Sequence, residues 1–142
     1  MKIAIIMRGT PGSGKSTFVN FLRNHLSNIQ VHAVDDLHLD KEGNFCWDES
    51  LAESRYLLNY ANFVKSCSQN LPVVICDCIN IDKESVEKYV HAAKSFGYFV
   101  YVVTPDIPSI LESSTRNKHQ VSAVQIKDML SRWEDWPDKN NF

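Results

Sequence analysis

The stretch that decides the fold is Gly9-Thr10-Pro11-Gly12-Ser13-Gly14-Lys15-Ser16. It satisfies G-x-x-x-x-G-K-[ST] at every position. Upstream lies a short apolar run, Met1 to Met7 (MKIAIIM), which reads as a buried strand. Downstream, Phe18, Phe21, Leu22, His25 and Leu26 recur at helical spacing and predict a helix from Lys15 to Leu26. Each part of the octapeptide has a physical reason between a strand and a helix. The glycines let the loop wrap closely, so that backbone N–H groups point at phosphate oxygens. The positive end of the helix dipole adds to that field. Lys15 can reach β- and γ-phosphates, and the Ser16 hydroxyl can ligate Mg²⁺. Gly9, Thr10, Pro11, Gly12, Ser13, Gly14, Lys15, Ser16 and the following Thr17 are therefore the expected nucleotide-binding residues. The loop alone does not separate kinase from ATPase or GTPase.

Outward from this loop the chain alternates apolar strands with amphipathic helices. Strands are expected at Val31 to Val34, Leu71 to Cys76 and Tyr98 to Val103. Lys41 to Trp47 reads as a loop turning at Gly43 and Asn44. A helix from Glu49 to Ser68 is expected to turn Leu57, Tyr60, Ala61 and Val64 inward. Asp82 is the expected N-cap of a helix burying Val86, Tyr89, Val90 and Ala93, with Gly97 ending it. A short helix follows Pro108. Ser122 and Gln125 have capping-box spacing, opening a last helix with Ile126, Met129, Leu130 and Trp133 inward. Alternation of this kind predicts an α/β fold, three layers around a mainly parallel sheet of four to five strands. Residues 1–136 form one domain in this reading, and 137–142 a flexible tail.

Composition limits the partners. The 142 residues carry a net charge of -2, with 44% hydrophobic and 23% charged residues. An apolar fraction of that size excludes disorder for most of the chain. A slightly acidic protein is not expected to bind nucleic acid strongly and non-specifically. No apolar run approaches the roughly 18 residues that cross a bilayer, and Ile3 to Met7 is too short for a signal peptide. The cysteines at 46, 67, 76 and 78 include no C-x-x-C pair. They fit a reducing, cytoplasmic setting, with Cys76 and Cys78 acting as small hydrophobes in a strand. Trp47, Trp133 and Trp136 read as packing groups.

In open parallel sheets ligands sit beyond the carboxyl ends of the strands, which directs attention to the residues there. Asp35 and Asp36 follow the second strand. Asp35 can accept the proton of a hydroxyl attacking a γ-phosphoryl group. Asp77 closes the third strand, as a Mg²⁺-holding carboxylate beside such a loop would, and Asn80 lies three residues on. Asp36, Asp77 and Asn80 remain open between metal, acceptor and backbone. Arg116, in a polar segment with Lys118, suits a lid arginine that neutralises the transferring phosphoryl group. Arg8, directly before the loop, is open between a structural and a substrate role.

Together, Arg8 to Thr17, Val34-Asp-Asp36, Val74-Ile-Cys-Asp77-x-x-Asn80, Phe96-Gly-Tyr98 and Arg116-Asn-x-x-His119 resemble the kinase domain of bacteriophage-type polynucleotide 5′-kinases. The resemblance runs from Lys2 to Trp133. It implies an adenylate-kinase-like fold with a helical lid, ATP with Mg²⁺ as donor, and a hydroxyl acceptor, including a nucleic-acid 5′ end. It makes Asp35 the general base, places Lys15 and Ser16 on phosphates and metal, and puts Arg116 on the donor phosphates. The polynucleotide kinases carry an arginine three residues after the catalytic aspartate, on the acceptor's phosphate; His38 stands there in this chain. Asp36, His38 and Asn80 are the expected acceptor contacts. The phosphatase domain of those enzymes has no counterpart in these residues, so 3′-phosphatase activity is not expected. Two other functions fit the same motifs: a small-molecule or nucleotide kinase, and a non-catalytic ATP-binding regulator.

Overall fold

A computed structural model describes residues 1–105 and 121–136. The expected helix after Pro108, the segment carrying Arg116, and the tail 137–142 lie outside the described residues.

Four parallel strands form the sheet: β1 (Ile3–Met7), β2 (Ile29–Ala33), β3 (Val73–Asp77) and β4 (Phe99–Val103), in the order β2-β3-β1-β4. Register carries the functional consequence. Met7 pairs with Asp77 and Val103, and Ala33 pairs with Asp77. All four strands therefore end at one level, and the segments leaving them share one edge of the sheet.

Alternation along the strands sorts side chains to two faces. Ala4, Ile6, Val74, Cys76 and Val100 pack with residues of α2 (Ala52–Ser68) and α3 (Lys83–Ser95), including Phe63, Cys67, Val86, Tyr89, Val90 and Ala93. Met7 and Ile75 pack on the opposite face with Val19, Phe18 and Leu22 of α1 (Lys15–His25). The result is the expected three-layer α/β arrangement. The last described helix, α4 (Ala123–Ser131), opens with the predicted capping box of Ser122 and Gln125 and buries Ile126. Asp82 caps α3 by accepting a hydrogen bond from the Ser85 N–H at 2.7 Å. No helix among the described residues is long and apolar enough to cross a membrane.

The inward face of α2 differs from the expected one. Leu57 is 60% exposed and Ala61 is exposed, whereas Asn59, Phe63, Ser66 and Cys67 are buried. Counting apolar residues misses a stripe that includes two polar ones. Both are buried because they are bonded: Asn59 Nδ2 lies 3.1 Å from the Tyr89 hydroxyl and 3.3 Å from Cys78 Sγ, and Ser66 Oγ lies 2.8 Å from His32 Nε2. Strand β2 also ends one residue before the expected Val34, which instead begins a single 3-10 turn, Val34–Leu37.

Candidate active site

The loop after β1 is pinned at its base. Arg8 N–H donates to Val103 O at 2.9 Å and Gly9 N–H to Ile79 O at 3.0 Å. Gly9 has φ +152°, and a Cβ there would fall 2.4 Å from Ser13 Oγ. Gly14, at φ +103°, is the N-cap of α1, with no side-chain cap and no acidic residue in the first turn. The first N–H groups of α1 are thus left without a side-chain cap, in a local field suited to an anion.

Among the described residues, Thr10 Oγ1 and Ser13 Oγ are buried without a hydrogen-bond partner. Lys15 Nζ donates to the loop's own carbonyls, Gly9 O at 2.6 Å and Thr10 O at 3.3 Å. Burial lowers the pKa of Lys15, against the opposing pull of Asp77 and Asp35. Two orphaned hydroxyls, an uncapped helix end and an ammonium on neutral carbonyls together fit a nucleotide polyphosphate.

Asp77 ends β3 beside this loop. Burial raises its pKa, Lys15 opposes the rise, and Asp35 and Asp36 add to it. Asp35, half-buried in the turn after β2, lines the same cavity as the loop and Asp77. That cavity has a volume of about 870 Å³. Its walls are Pro11, Gly12, Gly14 to Thr17, Asp35, the segment from Asp77 to Asp82, and side chains of the four described helices and of the chain between β2 and α2.

Not every expected residue reaches it. Asp36 is exposed and does not line the cavity. His38, expected at the acceptor, is 3% exposed and also off the cavity wall. Its ring packs against Trp47 with centroids 4.3 Å apart, and its Nε2 has no partner. The reason is a small hairpin that the sequence reads only as a loop: Leu39 bridges to Phe45, and Cys46 N–H donates to His38 O at 2.7 Å. Asn80 is buried at φ +52°, and its amide donates to Met7 O at 2.7 Å. Asn80 does line the cavity, and its nitrogen ties the segment after β3 to β1. Arg116 lies outside the described residues.

Arg8 resolves to a structural role. It is 1% exposed and donates from Nε to Asn80 O (2.8 Å) and from Nη2 to Ile81 O (2.7 Å) and Glu134 O (2.6 Å). Its guanidinium lies 4.2 Å from the Trp133 ring. One side chain thus joins the loop's base, the β3–α3 connection and the end of α4. Burial lowers its pKa against the pull of Asp135, Asp82 and Glu134.

Sequence reasoning missed the rest of the cavity: Phe45, Trp47 and Tyr56, Lys88 and Tyr89 on α3, and Gln125, Met129 and Arg132 on or beside α4. Burial pushes the Tyr56 phenol up to about 12, so it stays a neutral donor. Apart from Gln125, which the sequence marks only as part of a capping box, none of these residues belongs to a motif. The available signal was Trp47, an aromatic in a polar loop close to Asp35.

Solved structures share this fold. Chaetomium thermophilum Kti12 in complex with ADP-AlF3 is similar at a TM-score of 0.68 and 16% identity, over 97% of this chain and 84% of that one. A chain of the Pnkp1/Rnl/Hen1 RNA repair complex is similar at a TM-score of 0.69 and 20% identity, over 92% of this chain; the match spans only 43% of that chain. These likenesses carry the fold alone, the three-layer α/β arrangement described above. A Pasteurella multocida (strain Pm70) protein, "Uncharacterized protein PM0531", is 27% identical over 153 residues, covering all of this chain and 82% of its own length. The profile of the family described as "Chromatin associated protein KTI12" matches residues 3–142, and the chain belongs to that family.

Proposed function

We propose that this protein is an ATP-dependent phosphotransferase that moves the γ-phosphoryl group of ATP to a hydroxyl, foremost the 5′-hydroxyl of a polynucleotide or nucleotide-like acceptor. One observation carries the reading: a single cavity holds the phosphate loop together with Asp35 and Asp77, carboxylates at the ends of two neighbouring strands. The loop N–H groups and Lys15 bind the donor's phosphates. Ser16 and Asp77 are the residues that would hold Mg²⁺, which when bound neutralises charge on the phosphates. Asp35 takes the proton of the acceptor hydroxyl as its oxygen attacks. Arg116 keeps its expected role on the donor phosphates.

The test is transfer of labelled γ-phosphate to a 5′-hydroxyl DNA oligonucleotide, a 5′-hydroxyl RNA, and a pool of nucleosides and nucleotides. Asp35→Asn is the control. Label on an oligonucleotide that disappears in the variant supports the reading. Label confined to the pool moves the acceptor to small molecules. A second reading, an ATP-binding regulator read out by a partner, is favoured by the family's description as chromatin associated. It requires tight ATP binding, no label on any acceptor, and unchanged behaviour of Asp35→Asn.

A further inference from the structure

Among the described residues, the cavity is lined by three cationic side chains, Lys15, Lys88 and Arg132. Two are already engaged. Lys15 belongs to the phosphate loop, and Arg132 is paired with Asp128 at 2.9 Å. Lys88 differs. Among the described residues its ammonium has neither a hydrogen bond nor an ion pair; it lies 5.4 Å from the Tyr60 ring centre and 5.5 Å from that of Tyr89. Its charge adds to the Ser85 hydrogen bonds that hold the Asp82 carboxyl below its usual value. Two ring faces hold a cation electrostatically without using its N–H groups, so all three donors remain for a ligand.

The rings are themselves fixed. Tyr60 and Tyr89 meet edge to face at 5.3 Å, Phe63 meets Tyr89 at 5.0 Å, and the Tyr89 hydroxyl accepts from Asn59 Nδ2. Lys88 therefore stands on a rigid aromatic base, which lowers the entropy cost of using it. The segment that carries Asp35 offers no competing cation, because His38 is buried behind Trp47 and off the cavity wall.

We infer that Lys88 is the acceptor's anion site: besides the hydroxyl presented to Asp35, the acceptor carries a phosphate ester or carboxylate that the Lys88 ammonium holds. This rests on the phosphotransferase reading and narrows its acceptor to an anionic one.

The test is equilibrium binding to protein saturated with a non-hydrolysable ATP analogue and Mg²⁺, so that Lys15 is occupied. The probes are two matched pairs, adenosine 3′-monophosphate against adenosine and glycerate against glycerol. In wild type the anion of one pair binds more tightly than its neutral twin, and that pair identifies phosphate ester or carboxylate. Lys88→Met keeps the apolar stem on the two rings and weakens that anion on the order of 10- to 100-fold, the loss of one charge-assisted hydrogen bond. Affinities for the neutral twin and the ATP analogue stay the same, and Lys88→Arg retains most of the preference. The inference is overturned if Lys88→Met binds the anion as wild type does, or if neither anion outbinds its twin. Lys88-dependent binding without label transfer upholds this site and removes the phosphotransferase reading; transfer indifferent to Lys88→Met does the reverse.

Discussion

The cavity has two unlike halves. The nucleotide half is one continuous octapeptide whose working groups are mostly backbone N–H. The half proposed for the acceptor is assembled from side chains scattered between Asp35 and Arg132 on separate segments. A backbone site depends on the conformation of a few residues, and glycines at defined places are its signature. A side-chain site depends on the whole tertiary structure bringing distant residues together. The first can be read locally; the second can be varied without touching the first, which is how one fold serves many acceptors.

Four substitutions probe that division. The largest effect is expected from Asp35→Asn, which removes the proton acceptor and leaves the loop untouched. Label transfer should fall about 10²- to 10⁴-fold while the Kd for ATP stays within a factor of two or so. An equal loss in ATP affinity would show that the halves are not separable at Asp35. Arg8→Met strikes both halves at once, because three carbonyls lose a charged donor in a buried setting. Chemical denaturation should show about 2–4 kcal/mol less stability. A loss under 1 kcal/mol would mean that Trp133 and Glu134 hold their places without it.

Gly9→Ala confines damage to the nucleotide half. The added Cβ would collide with Ser13 Oγ, 2.4 Å away, at a φ of +152°. The expected strain is about 1–3 kcal/mol, read as a weaker Kd for ATP with the acceptor preference unchanged. Asp77→Asn has the smallest effect and sits where the halves meet. The Asp77 carboxyl, ordinarily at 3.8, is raised in the fold chiefly by burial. The folded state then holds that proton more tightly than the unfolded chain does. The stability this provides is complete below 3.8 and is lost as pH climbs through the raised value. The variant lacks this loss, so its melting temperature should gain on wild type between pH 4 and pH 7, even as nucleotide binding with Mg²⁺ weakens. A gap independent of pH would show that Lys15 fully compensates the buried carboxylate.

The same division explains what could be read from the chain. The octapeptide, the four strands and the caps at Asp82 and Ser122 are local patterns; the structure has the caps where expected and the strands within two residues of the expected bounds. Asp35 and Asp77 were found because parallel strands of equal register must deliver the residues beyond them to one edge. The inward face of α2 was misread because Asn59 and Ser66 are buried by partners on β2, at Cys78 just past β3, and on α3, which no count along α2 contains. His38 was misplaced because a hairpin, not its distance from Asp35, sets where it points. Lys88 and Tyr89 looked like an ordinary helix surface and core; only the meeting of α3 with α2 and the end of β3 gives them a cavity to line.

The clasp around Arg8 also sets a timetable for synthesis. The phosphate loop is complete as sequence once Ser16 has been made, yet its anchors arrive in the order Ile79, Val103 and Glu134, the last of them 126 residues after Arg8. A nascent chain carries the motif long before it carries the frame that gives the motif its shape, and contacts of such long range close late. A ribosome-bound fragment ending before Glu134 would lack the brace between α4 and the loop. On the proposed reading, the brace that shapes the phosphate loop is therefore complete only when nearly all of the described chain is present.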